Sequence, residues 1–225
     1  MTRNIIVTGA AGNLGGAVVE KFKREGYKVI ALLQPGKNEE VEEADDSYEV
    51  DVADEAAVEA FVKEYQLQYN DLDALALLVG GFAMGSMEET SKADLDQMIQ
   101  LNFYSAFHLV KGFLPLMQKQ NKGTFLFVGA RPALQLVDAA GTFAYAMSKS
   151  MVINLAEMVA SFTQDTSIRS HVFVPSIIDT PPNRESMPDS DFSKWVRPEE
   201  IAEAMHYAVN NDALRNMTFK LYGEV

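Results

Sequence analysis

The fold is decided close to the start of the chain, by the stretch Ile5-Ile6-Val7-Thr8-Gly9-Ala10-Ala11-Gly12-Asn13-Leu14-Gly15. Its first residues form an apolar run of strand length. Its glycines permit a sharp turn, and a segment of helical period follows over 14–25. The stretch therefore predicts a buried strand that turns directly into a helix.

The same alternation continues to the end of the chain. Most of the predicted strands are near-continuous apolar runs, which is typical of strands buried on both faces of a parallel sheet. The predicted strands cover 5–8, 28–33, 48–50, 74–80, 124–129, 171–174 and 218–222, and the predicted helices cover 14–25, 54–68, 91–120, 142–164 and 198–210. This pattern predicts an α/β fold in one domain over 1–225, a doubly wound, Rossmann-type parallel sheet of about seven strands with helices on both faces.

The composition excludes several classes of protein. The 225 residues include 32 acidic and 19 basic side chains, which give a net charge of -13. Such a surface repels phosphate backbones and anionic headgroups, so we expect neither a nucleic-acid nor a membrane partner. The chain has no cysteine, and no carboxylate–histidine spacing indicates a metal site. Glycines interrupt the apolar start, and no apolar run approaches the roughly 18 residues of a membrane span, so we expect a cytoplasmic protein.

The glycine turn has the features of a phosphate-binding site. Glycines let the backbone approach a pyrophosphate, and the following helix N-terminus offers free N–H groups and the positive end of its dipole. Two later strand ends fit the same ligand, because Asp51-Val52 would meet an adenine and Gly80-Gly81 would allow close approach. The predicted dinucleotide-binding residues here are Gly9, Ala11, Gly12, Asn13, Leu14, Gly15, Asp51, Val52, Gly80 and Gly81. A helix N-cap, the alternative for Asp51, suits Asp54 better.

The sequence leaves the choice between NADH and NADPH open. A carboxylate at the end of the second strand normally binds the adenosine ribose of NAD, but Leu33 occupies that position. Lys37 would meet a 2′-phosphate. An acidic segment begins two residues later, over 39–55, with ten acidic residues and no basic one. Such a segment is also typical of a solvated edge.

Tyr145 and Lys149 carry the candidate chemistry. Their four-residue spacing places both on one face of the helix predicted over 142–164. A nearby ammonium lowers the pKa of a phenol toward working pH. We therefore expect Tyr145 to act as a general acid, with Lys149 tuning it and reaching the nicotinamide ribose. The spacing also occurs by chance on many helices, and it gains weight here from its place after the fifth strand.

In the order of its motifs the sequence resembles the short-chain dehydrogenase/reductase family over essentially its whole length. The motifs that carry this resemblance are the glycine turn, Asp51, Gly80-Gly81, Asn102, Tyr145 with Lys149, and the segment 175–180. The resemblance implies that Asn102 holds a water that links Lys149 to solvent. The alternative for Asn102 is a helix-interior asparagine bonded to backbone. The resemblance also implies that the nicotinamide end of the cofactor is held by Pro175, the backbone of Ile178, and Thr180.

Two departures from the common pattern of this family narrow the function. The fifth strand ends in Phe127-Val128-Gly129-Ala130, so no hydroxyl stands where the family has its catalytic serine. The glycines are also spaced Gly-x-x-Gly-x-x-Gly. Both features resemble the dihydropteridine reductase branch, as does the segment 179–195, which we expect to be a substrate lid. The resemblance implies substrate contacts by Phe82, Ala130 and Trp195, with lid packing as the alternative for the two aromatic residues.

Three hypotheses about function follow. In the first, hydride passes from NADH or NADPH to a small planar imine, best a quinonoid dihydropterin, while Tyr145 supplies the proton. In the second, the enzyme reduces another small carbonyl compound. In the third, the protein senses redox state by binding NAD(P)H without turnover, although a tuned phenol would then have no use.

Assembly is the last expectation from the sequence. The segments 103–116 and 143–162 are apolar over more than one stripe, so each has a face beyond the one its own sheet covers. We expect a homodimer through a helix bundle of these segments, and a tetramer is the further possibility that the family resemblance leaves open.

Overall fold

The computed structural model describes residues 2–37 and 40–225 and shows one parallel sheet of seven strands. The strands are β1 (Asn4–Thr8), β2 (Lys28–Leu33), β3 (Asp46–Glu49), β4 (Ala74–Leu77), β5 (Lys122–Val128), β6 (Ser167–Pro175) and β7 (Asn216–Leu221). Their order in the sheet is β3-β2-β1-β4-β5-β6-β7. Every neighbouring pair is parallel, with registers such as Ile6 opposite Ile30 and Leu126 opposite His171. The predicted doubly wound sheet is confirmed.

Helices connect the strands and cover both faces of the sheet. They are α1 (Asn13–Arg24), α2 (Glu55–Gln68), α3 (Lys92–Met98), α4 (Ser105–Gln120), α5 (Arg131–Leu134), α6 (Phe143–Phe162), α7 (Pro181–Ser186) and α8 (Pro198–Val209). One hydrophobic cluster lies between the sheet and α2, α4 and α6, and the other lies between the sheet and α1 with α8. No helix in the described part of the chain is long and apolar enough to cross a membrane.

Three differences from the predicted elements concern the functional end of the sheet. Strand β4 ends at Leu77, so Gly80 and Gly81 lie in the loop that follows it. The helix predicted over 91–120 is continuous but contains a π-helical segment, Ile99–Tyr104, between α3 and α4. The segments after β5 and β6 contain α5, α7 and single 3-10 turns that hydrophobic periodicity did not reveal. Glu39, the first residue of the predicted acidic segment, lies outside the described residues.

The glycine turn, Asp51, Gly80-Gly81 and the segment 175–180 lie at or directly after the carboxyl ends of strands, where ligands bind in open parallel sheets. The Thr8 hydroxyl ties two of these ends together, because its oxygen accepts from the backbone N–H groups of Leu78 (2.8 Å) and Val79 (3.2 Å). The loop after β4 is thereby held beside the glycine turn after β1.

Candidate active site

The glycine turn after β1 is a tight backbone cradle. Gly9 has φ +60°, in the left-handed region, and its carbonyl accepts from the Gly12 N–H at 3.0 Å. A Cβ on Gly15 would lie 2.0 Å from the Gly9 carbonyl oxygen. A side chain at position 15 is therefore excluded by sterics, and the backbone turns tightly into α1.

This cradle fits the phosphates of a dinucleotide. No side chain caps the N-terminus of α1, and its first turn carries no acidic residue. The N–H groups of Asn13, Leu14 and Gly15 therefore begin the helix without a side-chain acceptor, as an anion site requires. Two features of the structure therefore fit a phosphate: the tight turn and the helix N-terminus that no side chain caps.

The adenine end of the predicted site lies after β3. Asp51 is exposed, and its Oδ1 accepts from the Ala53 N–H at 3.0 Å. Val52 is buried in the core on the α2 face. Asp54, as expected, is the N-cap of α2, accepting from Ala56 and Ala57. Asp51 is thus available to a ligand, whereas the Val52 side chain is committed mainly to the core.

Asn102 joins the loop after β4 to α6. Its Oδ1 accepts from the Gly81 N–H (3.0 Å), and its Nδ2 donates to the Gly81 carbonyl (3.1 Å) and to the Ser148 hydroxyl (2.9 Å). The residue is 1% exposed and lies in the π-helical segment. π-Helical turns are frequent at functional sites because they change the direction of a side chain within a helix. The backbone partners of Asn102 belong to another segment of the chain and not to its own helix.

Lys149 lies at the centre of this arrangement. Its Nζ donates to the Val128 carbonyl at 2.9 Å, and a Cβ on Gly80 would lie 3.1 Å from Nζ and 2.4 Å from Asn102 Oδ1. Gly80, Asn102 and Lys149 are therefore brought together. Burial lowers the pKa of Lys149 from 10.5 to about 8, because the ammonium has left water without gaining a carboxylate partner.

Tyr145 lies one turn before Lys149, but the expected lowering of its pKa is wrong. Burial raises the pKa of the phenol to about 12. Desolvation of the phenolate outweighs any help from Lys149, whose ammonium is directed to the Val128 carbonyl. At neutral pH the phenol is therefore protonated, which is the form a proton donor needs. The Phe82 ring packs edge-on against the Tyr145 ring, with centroids 5.0 Å apart, and Phe82 is 62% exposed.

The end of β5 has no hydroxyl, as its sequence indicates. Ala130 is 3% exposed and precedes α5 in extended conformation. A Cβ on Gly129 would lie 3.2 Å from each of Ile153, Val172 and Val174, so this position is tightly packed. Only backbone and a methyl group therefore stand at the place where a serine would meet the substrate oxygen.

The predicted nicotinamide-binding residues follow β6. Pro175 is the buried last residue of the strand, and Ile178 and Thr180 are half-buried. The Ile178 carbonyl accepts from Asn183 Nδ2 at 2.8 Å, and the Thr180 oxygen caps α7. Ile178 also forms a bridge to Val196, which joins the start of the 179–195 segment to its end.

The 179–195 segment is an ordered flap. Arg184 forms a two-pronged ion pair with Asp179 (2.6 and 2.7 Å), and a cleft of about 360 Å³ lies between this pair, Phe192 and Trp195. Trp195 is 5% exposed and lies 4.8 Å from the Phe192 ring, which favours the packing alternative for this residue. Lys194 at its base is held by the Glu224 N–H, which donates to the Lys194 carbonyl at 3.0 Å.

Ser148 is a site residue that the sequence reasoning missed. It is fully buried, accepts from Asn102 and donates to the Tyr145 carbonyl at 2.8 Å. It therefore couples the π-helical segment to the backbone of Tyr145. Its signal was present inside the quoted Tyr145–Lys149 motif, as a polar residue one position before the lysine.

Comparison with known proteins agrees with this geometry. Residues 3–191 match the family model described as short chain dehydrogenase. The chain is 28% identical over 219 residues to a dihydropteridine reductase from Dictyostelium discoideum, covering 95% of this chain and 90% of that one. It is 30% identical over 206 residues to an uncharacterized oxidoreductase, YxjF, from Bacillus subtilis, covering 88% and 79%.

Solved structures match the same fold. ElxO with NADP bound has a TM-score of 0.89 at 21% identity, covering 99% of this chain and 98% of that chain. The aldohexose dehydrogenase of Thermoplasma acidophilum, in ligand-free form, has a TM-score of 0.83 at 23% identity and covers 99% and 93%. At these identities the likeness establishes the architecture.

Proposed function

Because the chain belongs to the short-chain dehydrogenase family of NAD(P)H-dependent oxidoreductases, we propose that it reduces a quinonoid dihydropterin or a similar planar imine. One observation carries this proposal: the buried methyl of Ala130 stands where a second hydroxyl donor would be, while Asn102, Tyr145 and Lys149 are in place. The 28% identity to a dihydropteridine reductase supports the same substrate class.

Residues at the carboxyl end of the sheet have separate roles in binding the cofactor and in donating the proton. NADH or NADPH, when bound, supplies the hydride. The turn from Gly9 to Gly15 binds the diphosphate through backbone N–H groups. Lys149, beside the Gly80 backbone, binds the ribose hydroxyls. Asn102 holds the backbone of Gly81 in place through two hydrogen bonds. Tyr145, protonated at neutral pH because its pKa is about 12, holds the proton that goes to the substrate nitrogen.

The missing hydroxyl favours an imine over a ketone. Reduction of a ketone develops charge on one oxygen, and loss of one donor to such an oxygen costs about 10²–10³ in rate. A quinonoid pterin spreads the developing charge over several ring heteroatoms. A single proton donor therefore suffices, and an enzyme built with Ala130 loses little on that substrate.

The loop after β4 and the start of α6 offer a cleft and an exposed aromatic ring to a small planar molecule. A cleft of about 340 Å³ opens next to Ala144, and its lining includes Ala83, Glu89 and Asp94. The exposed Phe82 ring against Tyr145 offers an apolar face on which a planar ring could stack. The 179–195 flap would close the other side as a lid.

The proposal is tested by cofactor oxidation, followed by absorbance, with freshly generated quinonoid dihydropterin and a panel of small ketones. We expect the wild type to reduce the pterin at least about 10²-fold faster than any ketone. Ala130→Ser should raise ketone reduction and leave pterin reduction within a few-fold, while Ala133→Ser, a hydroxyl added one helical turn away, should change neither. Fast ketone reduction by the wild type with no pterin turnover would show that another carbonyl compound is the substrate.

We further propose that the enzyme is a cytoplasmic homodimer, in which a second copy covers α4 and α6. The support is a set of exposed apolar side chains: Tyr104 at the end of the π-helical segment, directly before α4, and Met147, Met158 and Phe162 on α6, the last of them 75% exposed. Light scattering at micromolar concentration should give twice the mass of one chain. A monomer at that concentration would contradict this part of the proposal.

A further inference from the structure

The carboxyl end of β2 lacks the carboxylate that usually binds the adenosine ribose of NAD. Leu33 occupies the position and is 6% exposed, packed in the cluster beneath α1. The backbone of this strand end nevertheless lies against the glycine turn, because the Ala10 N–H donates to the Leu32 carbonyl at 3.4 Å. A ligand whose phosphates lie on the turn will therefore place its adenosine beside the end of β2.

Glu49 brings a carboxylate to this place from the neighbouring strand. It is the last residue of β3 and pairs in register with Leu33, so both side chains point to the same face of the sheet. Its Oε2 accepts from the Gly36 N–H at 3.2 Å. The carboxylate is thereby held over the end of β2, against the loop that begins at Gln34.

The charges nearby reinforce that of Glu49. Lys37 is the only basic residue between Leu33 and Lys63 in the sequence. Asp45 and Asp46 are paired with Lys23 and Lys28, whereas Glu49 forms none of the ion pairs found among residues 2–37 and 40–225. Asp51, two residues after Glu49, is a second exposed carboxylate. The local field is therefore negative despite Lys37.

We propose that Glu49 takes over the role of the missing ribose carboxylate and makes the enzyme selective for NADH over NADPH. This inference rests on the cofactor site of the proposed function, and it does not depend on the pterin substrate. A carboxylate accepts hydrogen bonds from the 2′- and 3′-hydroxyls of a ribose. It repels a 2′-phosphate that carries close to two negative charges, and we expect this like-charge repulsion to cost at least about tenfold in affinity.

The test uses ligands that contain only the adenosine end, so that nicotinamide chemistry and turnover play no part. Calorimetric titration of the wild type with ADP-ribose and with 2′-phospho-ADP-ribose measures the preference directly. We expect ADP-ribose to bind at least about tenfold more tightly. Glu49→Gln should reduce that ratio to within about threefold of unity, while its amide oxygen still accepts the Gly36 N–H and keeps the loop in place.

Glu43→Gln is the matched control. It removes the same charge from the same acidic segment, but Glu43 precedes β3 and so lies toward the opposite end of the sheet. Its ratio should stay within about twofold of the wild type, and circular dichroism should show both variants folded. Equal or tighter binding of the 2′-phosphate by the wild type would overturn the proposal and assign the preference to Lys37. An equal shift in Glu43→Gln, or failure of ADP-ribose to bind the wild type, would overturn it as well.

Discussion

Lys149→Met should stabilise the folded protein at neutral pH while it abolishes the reductase. Lys149 is 6% exposed, and burial lowers its pKa from 10.5 to about 8. A shift of this size corresponds to about 3 kcal/mol, at about 1.4 kcal/mol for each pKa unit. Methionine has a similar length and no charge to desolvate. Loss of the hydrogen bond to the Val128 carbonyl costs about 1 kcal/mol. We therefore expect the free energy of unfolding to rise by about 2 kcal/mol at pH 7.

The pH dependence separates this cause from any other. Since the folded pKa lies below the unfolded one, the unfolded chain binds more protons between pH 8 and 10.5, and wild-type stability rises through that window. Below pH 8 the cost of the buried ammonium is present in full. At pH 9.5 most of it has gone, so the advantage of the methionine variant should shrink by about 2 kcal/mol between pH 7 and pH 9.5.

Urea unfolding of the wild type, Lys149→Met and Lys63→Met at both pH values measures these differences. Lys63 is exposed on α2, so its variant should show almost no change and no pH-dependent gap. A Lys149→Met protein that is less stable than the wild type at pH 7, or whose advantage is the same at both pH values, would refute the reasoning.

Three further outcomes are expected. Tyr145→Phe should lower turnover by about 10²–10⁴-fold with nearly unchanged cofactor affinity, because it removes only the hydroxyl of the proposed proton donor; near wild-type turnover would mean that another group donates. His171 is fully buried, and burial lowers its pKa to about 4. The wild type should therefore lose about 3 kcal/mol of unfolding free energy between pH 6.5 and pH 4, whereas His171→Phe should not show this loss. Urea titrations at the two pH values measure the difference. Gly223→Ala should lower the thermal midpoint more than Gly26→Ala, because both glycines have positive φ but only at Gly223 would a Cβ meet a backbone atom, the Lys194 oxygen at 2.2 Å; equal losses would remove the steric explanation.

The sheet and the glycine turn could be predicted because their causes are local. Buried parallel strands need continuous apolar runs such as 28–33, and the observed β2 has these same bounds. The turn needs glycines where Cβ atoms would meet the backbone, and Gly15 shows why. Tyr145 and Lys149 could be placed on one helical face by their spacing alone.

Other features of the site depend on contacts that no local pattern encodes. The π-helical segment carries Asn102, whose partners Gly81 and Ser148 lie 21 and 46 positions away. The pKa of Tyr145 depends on how deeply tertiary packing buries the phenol, so spacing to Lys149 predicted the wrong direction. Glu49 gains its place only because β3 pairs with β2, which brings a carboxylate to a strand end that has none of its own.

The fluorescence of Trp195 would report on the conformation of the 179–195 flap. It is the only tryptophan among the 225 residues, so all indole emission comes from one position, buried beside Phe192 at the base of the 179–195 segment. Opening the flap would hydrate that indole and shift its emission to longer wavelength, with no label and no second tryptophan to obscure the signal. Reduced nicotinamide absorbs where indole emits, so energy transfer would report cofactor arrival on the same channel. The opening that the proposed lid role requires would therefore be measurable by stopped-flow fluorescence of the unmodified chain.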